Sequence, residues 1–318
     1  MSVLEGPVCG MTWGWTGVRG TWAVPEAAAS MQAMAEHAVT WTAISYAALQ
    51  ATPFSTEIGY DSEPTVTDDE IVWAIREARA LGMKVCLKPV VNVADGTWRA
   101  HIGFFDWDVP GEPSWTEWFA SYRAFLLHAA RIAEAEQCEM LCIGCEMVRA
   151  DGQEQHWRAL IRDIREIYSG LITYNCDKYQ EDRVTWWDAV DVVSSSGYYP
   201  IDAWEENLDR IERVVTASGR PFVFLEAGCP SRVGSPARPN DWTLAGAPSG
   251  EAQLAYYRAM FDACARRPWV EGFFLWDWPP RLYDEIDAFS NDDYCPYGKP
   301  AGRYLRETYA AMSRKERA

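Results

Sequence analysis

Basic residues are scarce in this 318-residue chain: 29 Lys and Arg stand against 46 Asp and Glu, a formal net charge of −17. An acidic excess of that size repels phosphate backbones and anionic lipid, so neither nucleic acid nor a membrane surface is an expected partner. Histidine is rarer still, with four residues. His37, His128 and His156 fall in helical segments; His101 alone lies in a loop where it could meet a ligand. A barrel metallohydrolase needs several histidines at strand ends, and without them no metal is expected. The first strand is not followed by a G-x-G-x-x-G turn, which removes the usual dinucleotide fingerprint, and no cofactor is expected. There is also no run of about 18 apolar residues, and no basic region followed by an apolar one at the N-terminus. A cytoplasmic protein is the expectation. The nine cysteines agree with it: an odd number, with Cys86, Cys142 and Cys176 inside apolar strand-like runs, reads as free buried thiols in a reducing compartment.

Aromatic residues, in contrast, are abundant. They make up 14% of the chain, with 17 Trp, in a composition that is otherwise ordinary for a globular protein at 48% hydrophobic and 24% charged. Such a chain can bury a large core. Its surplus of flat apolar rings also suits a cleft that stacks on a ligand.

Hydrophobic patterning alternates strands with helices. Pro7 to Thr12 reads as a strand and Pro25 to His37 as a helix with Pro in its first turn. Trp41 to Leu49 is the next strand. Thr67-Asp68-Asp69-Glu70 has the form of a capping box and opens a helix that stops at Gly82. Lys84 to Asn92 is the third strand, and Trp115 to Glu136 a long helix. A fourth strand ends in Glu146, a helix covers His156 to Tyr168, and strands five and six are Leu171 to Lys178 and Asp191 to Tyr199. The helix Trp204 to Ser218 is closed by Gly219, strand seven carries Glu226, Ser249 to Arg266 is helical, and Val270 to Trp278 is strand eight. A last helix covers about Gly302 to Met312. Eight strands with crossovers and no break in composition predict an α/β protein, a single (β/α)8 TIM barrel spanning residues 1–318. A doubly wound open sheet is the alternative, disfavoured because polar or aromatic residues mark the ends of nearly all the strands.

In such a barrel the C-terminal strand ends share one mouth. Two apolar strands deliver a glutamate there: Leu141-Cys142-Ile143-Gly144-Cys145-Glu146 and Phe222-Val223-Phe224-Leu225-Glu226. Either Glu taken alone is an ordinary strand-end ion-pair residue. Two facing each other across a cleft are what glycosidic-bond cleavage needs, one protonating the leaving oxygen while the other attacks the anomeric carbon or activates water. Trp13, Lys88, Asn92, Asn175, Tyr198, Trp276 and Asp277 fall at the same mouth and are the candidate substrate-binding residues, with Trp13 and Trp276 as stacking faces. Lys88 could instead pair with a carboxylate, and Asp277 with Arg281.

These motifs resemble a known group. Glu146 in an I-G-x-E context, Glu226 in F-L-E-A-G and a W-x-W at Trp276 to Trp278 resemble the clan of retaining barrel glycosidases. Over nearly the whole chain, including G-M-T-W-G at Gly10 to Gly14, Lys88-Pro89 and G-K-P-A at Gly298 to Ala301, the sequence is most similar to glycoside hydrolase family 113, the β-mannanases. The resemblance implies a retaining hydrolase of β-1,4-mannosidic bonds in mannan or mannooligosaccharides, with Glu146 as acid/base and Glu226 as nucleophile. It further implies Trp276 as the platform for the sugar being cleaved and Tyr198 as a residue orienting the nucleophile. One position departs from the clan, which usually places Asn before the acid/base; here it is Cys145, a weak hydrogen-bonding group. Cys142-x-x-Cys145 does not read as a metal or redox pair, because on a regular strand residues three apart face opposite sides. The competing readings are a same-clan β-glycosidase or transglycosidase acting on another sugar, and a carbohydrate-binding barrel without catalysis. Two facing carboxylates argue against the last, since binding alone gains nothing from their repulsion.

Overall fold

The computed structural model describes residues 3–315. Eight strands pair in chain order into a closed, all-parallel barrel: β1 (Val8–Trp13), β2 (Trp41–Gln50), β3 (Lys84–Val93), β4 (Met140–Cys145), β5 (Leu171–Cys176), β6 (Val192–Gly197), β7 (Phe222–Ala227) and β8 (Val270–Trp278), which returns to β1. Seven helices surround it: α1 (Pro25–Ala35), α2 (Asp68–Ala80), α3 (Trp115–Ala135), α4 (Glu154–Arg165), α5 (Trp204–Ser218), α6 (Gly250–Cys264) and α7 (Pro300–Lys315). The predicted (β/α)8 barrel is borne out.

Local chemistry sets the helix ends. Thr67 and Glu70 form the predicted capping box of α2, and Ser114 and Glu117 form a second on α3, which satisfies backbone N–H groups that have no partner inside the helix. Gly219 ends α5 at φ 63°, a left-handed conformation that suits glycine. Between β5 and β6 the chain makes only a short 3-10 turn, Trp187–Ala189. The face left without a helix is filled by indoles, Trp186 stacking on Trp157 of α4 at 4.9 Å.

Strand alternation divides the apolar side chains into two cores. Val8, Trp41, Cys86, Met140, Cys142, Val192, Val223, Leu225 and Phe274 fill the barrel interior. Met11, Trp13, Leu141, Ile143, Ile172, Val193, Phe222 and Phe224 face outward, onto the helices. All nine cysteines are buried. Among the described residues no helix is long and apolar enough to cross a membrane.

Candidate active site

The two strands that carry the glutamates share an irregularity. Between Cys142 and Cys145 β4 has one residue more than its partner β5, which runs only from Thr173 to Asn175 over the same stretch. Between Phe224 and Ala227 β7 likewise has one more than β8, which runs from Phe273 to Leu275. A bulge of this kind turns the following side chain to the other face. Continued from Phe222 and Phe224, regular alternation would aim Glu226 at the helices; the bulge brings it into the barrel. The same slip turns the Cys145 thiol inward, so Cys145 shares the interior with Cys142 instead of facing away from it. Glu146 follows directly, in the left-handed region at φ 53°, a conformation uncommon outside glycine and frequent at functional sites.

Glu226 is 6% exposed and surrounded by donors. Lys88 Nζ lies 2.6 Å from Oε1, Cys145 Sγ 3.3 Å from Oε1, and Tyr198 Oη 3.0 Å from Oε2. Burial pushes the Glu226 carboxyl up, but the Lys88 ammonium, with Arg99 and the Cys145 thiol, more than offsets it and holds the group below the ordinary carboxylate value. The donors keep their protons. Burial, and then the charge of Glu226, drive both the Cys145 thiol and the Tyr198 phenol well above their usual values. Burial opposes the Lys88 ammonium, yet the acidic groups around it, Cys145 and Glu226 first, raise it further.

Glu146, 8% exposed, accepts from a different set. Arg99 Nη1 is 2.9 Å and Trp98 Nε1 3.3 Å from Oε2, while Ser196 Oγ is 2.9 Å from Oε1. Arg99 also donates twice to Asn92 Oδ1, at 3.2 and 3.0 Å, and its guanidinium lies 5.4 Å from the Trp15 ring centroid. Both arms converge below the pocket. Lys88 Nζ donates to Asn175 Oδ1 at 3.1 Å, Asn175 Nδ2 to Ser196 Oγ at 2.9 Å, and Ser196 to Glu146. An unbroken hydrogen-bond chain, Glu226–Lys88–Asn175–Ser196–Glu146, therefore fixes the two carboxylates relative to one another.

Both glutamates line one cavity of about 570 Å³, together with Trp15, Asn92, Trp98, Arg99, Asp177, Lys178, Tyr198, Asn240, Trp242 and Trp276. Of the predicted residues, Glu146, Glu226, Asn92, Tyr198 and Trp276 face this space. Trp276 brings an indole N–H that is buried without a partner. Lys88 and Asn175 are fully buried beneath the pocket, where they hold the carboxylates. Of the two readings of Lys88, the structure takes the ion pair.

Two predicted residues lie elsewhere. Trp13 shares the outward face of β1 with Cys9 and Met11; it is fully buried against Trp22, at 5.0 Å, and donates to Ser30 Oγ at 3.3 Å, so it is a core residue and not a sugar platform. Asp277 faces an adjoining cavity of about 490 Å³ lined also by Trp242, Arg281, Asp293 and Tyr294. It forms no ion pair with Arg281 among the described residues. Trp15, two residues beyond Trp13, takes the place expected of Trp13 and packs edge-on against Trp276 at 5.4 Å.

Sequence reasoning gave no role in the site to Trp98, Arg99, Ser196 or Asp177. Trp98 and Arg99 come from the start of the 3-10 turn Arg99–His101 in the long β3–α3 connection, whose conformation no periodicity reveals. Ser196 is the last of a run of three serines, and of the three it is the one that bonds Glu146. His101 lies beside Trp98, 5.9 Å ring to ring, and does not line the cavity. Among the described residues no group of three or more His, Cys, Asp or Glu is arranged to hold a metal ion.

The sequence model of glycoside hydrolase family 113 matches residues 11–299. A solved structure of a family 113 β-1,4-mannanase is 51% identical and superposes with a TM-score of 0.95, over 98% of this chain and 100% of that one. The family 113 β-mannanase AaManA from Alicyclobacillus acidocaldarius, in complex with ManMIm, is 44% identical with a TM-score of 0.95, over 98% and 100% of the two chains. A β-glucuronidase from Faecalibacterium prausnitzii, 14% identical over 96% of this chain and 49% of its own, has a TM-score of 0.65 and shares the fold alone. A comparison with curated protein sequences finds no match.

Proposed function

Because the chain belongs to glycoside hydrolase family 113, and is thus a glycoside hydrolase, we propose that it cleaves β-1,4-mannosidic bonds in mannan or mannooligosaccharides with retention of configuration, Glu226 acting as nucleophile and Glu146 as acid/base. One observation carries the assignment of roles. The two carboxylates line a single cavity with partners of different kinds: Glu226 is held as an anion by the buried Lys88 ammonium, while Glu146 accepts from Arg99, Trp98 and Ser196.

The chemistry follows from those partners. Glu226 is ionised through the neutral range and aimed by Lys88 and Tyr198, so it can attack the anomeric carbon as the glycosidic bond breaks. Glu146 passes its proton to the departing oxygen, and an ester joins the glycone to Glu226. Water then attacks the same carbon, Glu146 takes its proton, and Glu226 leaves as carboxylate. Trp276, 4% exposed with its indole N–H free, offers a flat face and one donor to the sugar in between. The thiol of Cys145 is occupied with Glu226, so in this site it steadies the nucleophile.

The test is hydrolysis of mannan and mannooligosaccharides against cellulose and xylan, with the anomer of the fresh product read by NMR. Mannan cleavage giving the β-anomer, abolished in Glu226→Ala, is expected. Wild-type activity in both Glu226→Ala and Glu146→Ala would falsify the site.

A further inference from the structure

A third carboxyl lines the cavity beside Glu146, and the mechanism has not used it. Asp177 follows directly on β5, is 7% exposed, and no side chain among the described residues donates a hydrogen bond to it; the Lys178 backbone N–H bears on it from its own turn. A buried carboxyl aimed into a cavity without a side-chain donor is a costly arrangement unless a ligand completes it.

Its loop is rigid. Gln180 N–H closes a turn onto the Asp177 carbonyl at 3.2 Å. Below, the fully buried Glu181 accepts from Ser195 Oγ and Tyr199 Oη, both at 2.7 Å, and pairs with Arg210 at 2.5 Å. Asp177 is therefore presented on a pinned segment with a fixed aim.

Its place in the pocket says what it would meet. After burial, the largest influence on Asp177 is the charge of Glu146, whereas the catalytic carboxylate that bears on Asp277, across the mouth, is Glu226. Glu146 N–H is bonded to the carbonyl of Asn175, two residues before Asp177, at 2.8 Å. The leaving group departs on the side of the acid, so Asp177, in the cavity beside Glu146, stands on the leaving-group side. Burial and Glu146 also push the Asp177 carboxyl up to about 7, where it can both donate to and accept from hydroxyls.

Resting on the proposed roles of Glu146 and Glu226, we infer that Asp177 is the hydroxyl-reading group of a leaving-group subsite, binding the pyranose that departs when the glycosidic bond is cut.

Asp177→Ala and Asp177→Asn test it on two substrates with the same glycone: mannotetraose, whose leaving group is a sugar, and a nitrophenyl β-mannobioside, whose leaving ring has no hydroxyls. The readout is the ratio of kcat/KM on the first to that on the second. One or two lost hydrogen bonds lower this ratio about tenfold or more in Asp177→Ala, and Asp177→Asn, which keeps a donor and an acceptor, loses only a few-fold. An unchanged ratio overturns the inference. So do equal falls in the two variants, which place the effect in the charge acting on Glu146 and not in contact with sugar. A variant that folds poorly lowers both activities and leaves the ratio readable. Failure of the underlying assignment looks different: the wild type cleaves neither substrate, or Glu226→Ala cleaves both.

Discussion

Lys88 Nζ lies 2.6 Å from Glu226 Oε1, with the lysine side chain fully buried and the glutamate side chain 7% exposed. Removing one member of a buried pair strands the other. In Lys88→Met the burial of Glu226 goes largely uncompensated, so its pKa rises where in the wild type it is lowered. The acid limb of the kcat/KM profile is expected to move to higher pH, with activity at neutral pH down by about 100-fold. Stability responds with a defined sign. The lowered pKa of Glu226 contributes stability above the unfolded-state value, and that contribution is lost as pH falls through the folded value. Urea unfolding of Lys88→Met at neutral pH should show a loss of about 3–5 kcal/mol.

Arg99 governs the other carboxylate. It joins Glu146 to Asn92 and lies over Trp15, so Arg99→Met leaves Glu146 with two of its three donors and frees it to misalign. A misplacement of that kind falls on kcat, and a loss of roughly 10- to 100-fold is expected. A change confined to KM in steady-state assays on mannotetraose would show that Arg99 only binds sugar.

Two tryptophans predicted for one role should separate in experiment. Trp13→Ala opens a cavity in the layer between barrel and helices and is expected to cost about 3–5 kcal/mol in thermal or urea unfolding. At temperatures where that variant remains folded, KM should be near wild type. Trp276→Ala removes the wall of the pocket and is expected to lower kcat/KM roughly tenfold or more, with the smaller effect on stability.

Asp151 gives stability an opposite slope with pH. It follows β4, accepts from Tyr174 Oη, and leaves Oδ2 buried without a partner; burial pushes its carboxyl up to about 8. A carboxyl with a raised folded-state pKa binds more protons folded than unfolded between the ordinary value and about 8, so its contribution to stability falls as pH rises across that range. Asp151→Asn keeps an acceptor for Tyr174 and removes the titration. The variant should gain on the wild type between pH 5 and 8 by an amount on the order of a few kcal/mol, read from urea midpoints.

Much of this was legible in the residues. The eight strands, the α2 capping box and the two glutamate-bearing strands follow from patterning that burial imposes on a parallel barrel. The inward aim of Glu226 was not readable from alternation, because an added residue in β7 reverses it, and only its place at the strand end pointed to the mouth. Trp13 is the converse case. β1 keeps strict alternation, so its parity with Cys9 and Met11 already placed it outside the barrel, and its position at the strand end suggested otherwise. Arg99 and Trp98 reach the site from a connection whose shape is set by tertiary contacts, and no local signal in the sequence marks them.

The burial of every thiol has an analytical use. A membrane-impermeant disulfide reagent added to the native enzyme finds nothing to modify, since all nine sulfhydryls are out of reach. Colour then develops only when some part of the molecule opens. With sulfhydryls on β1, β3, β4, β5 and α6, in the turn before β4, and in the loops after β7 and before α7, the order in which they become labelled during slow denaturation would chart which staves of the barrel part first.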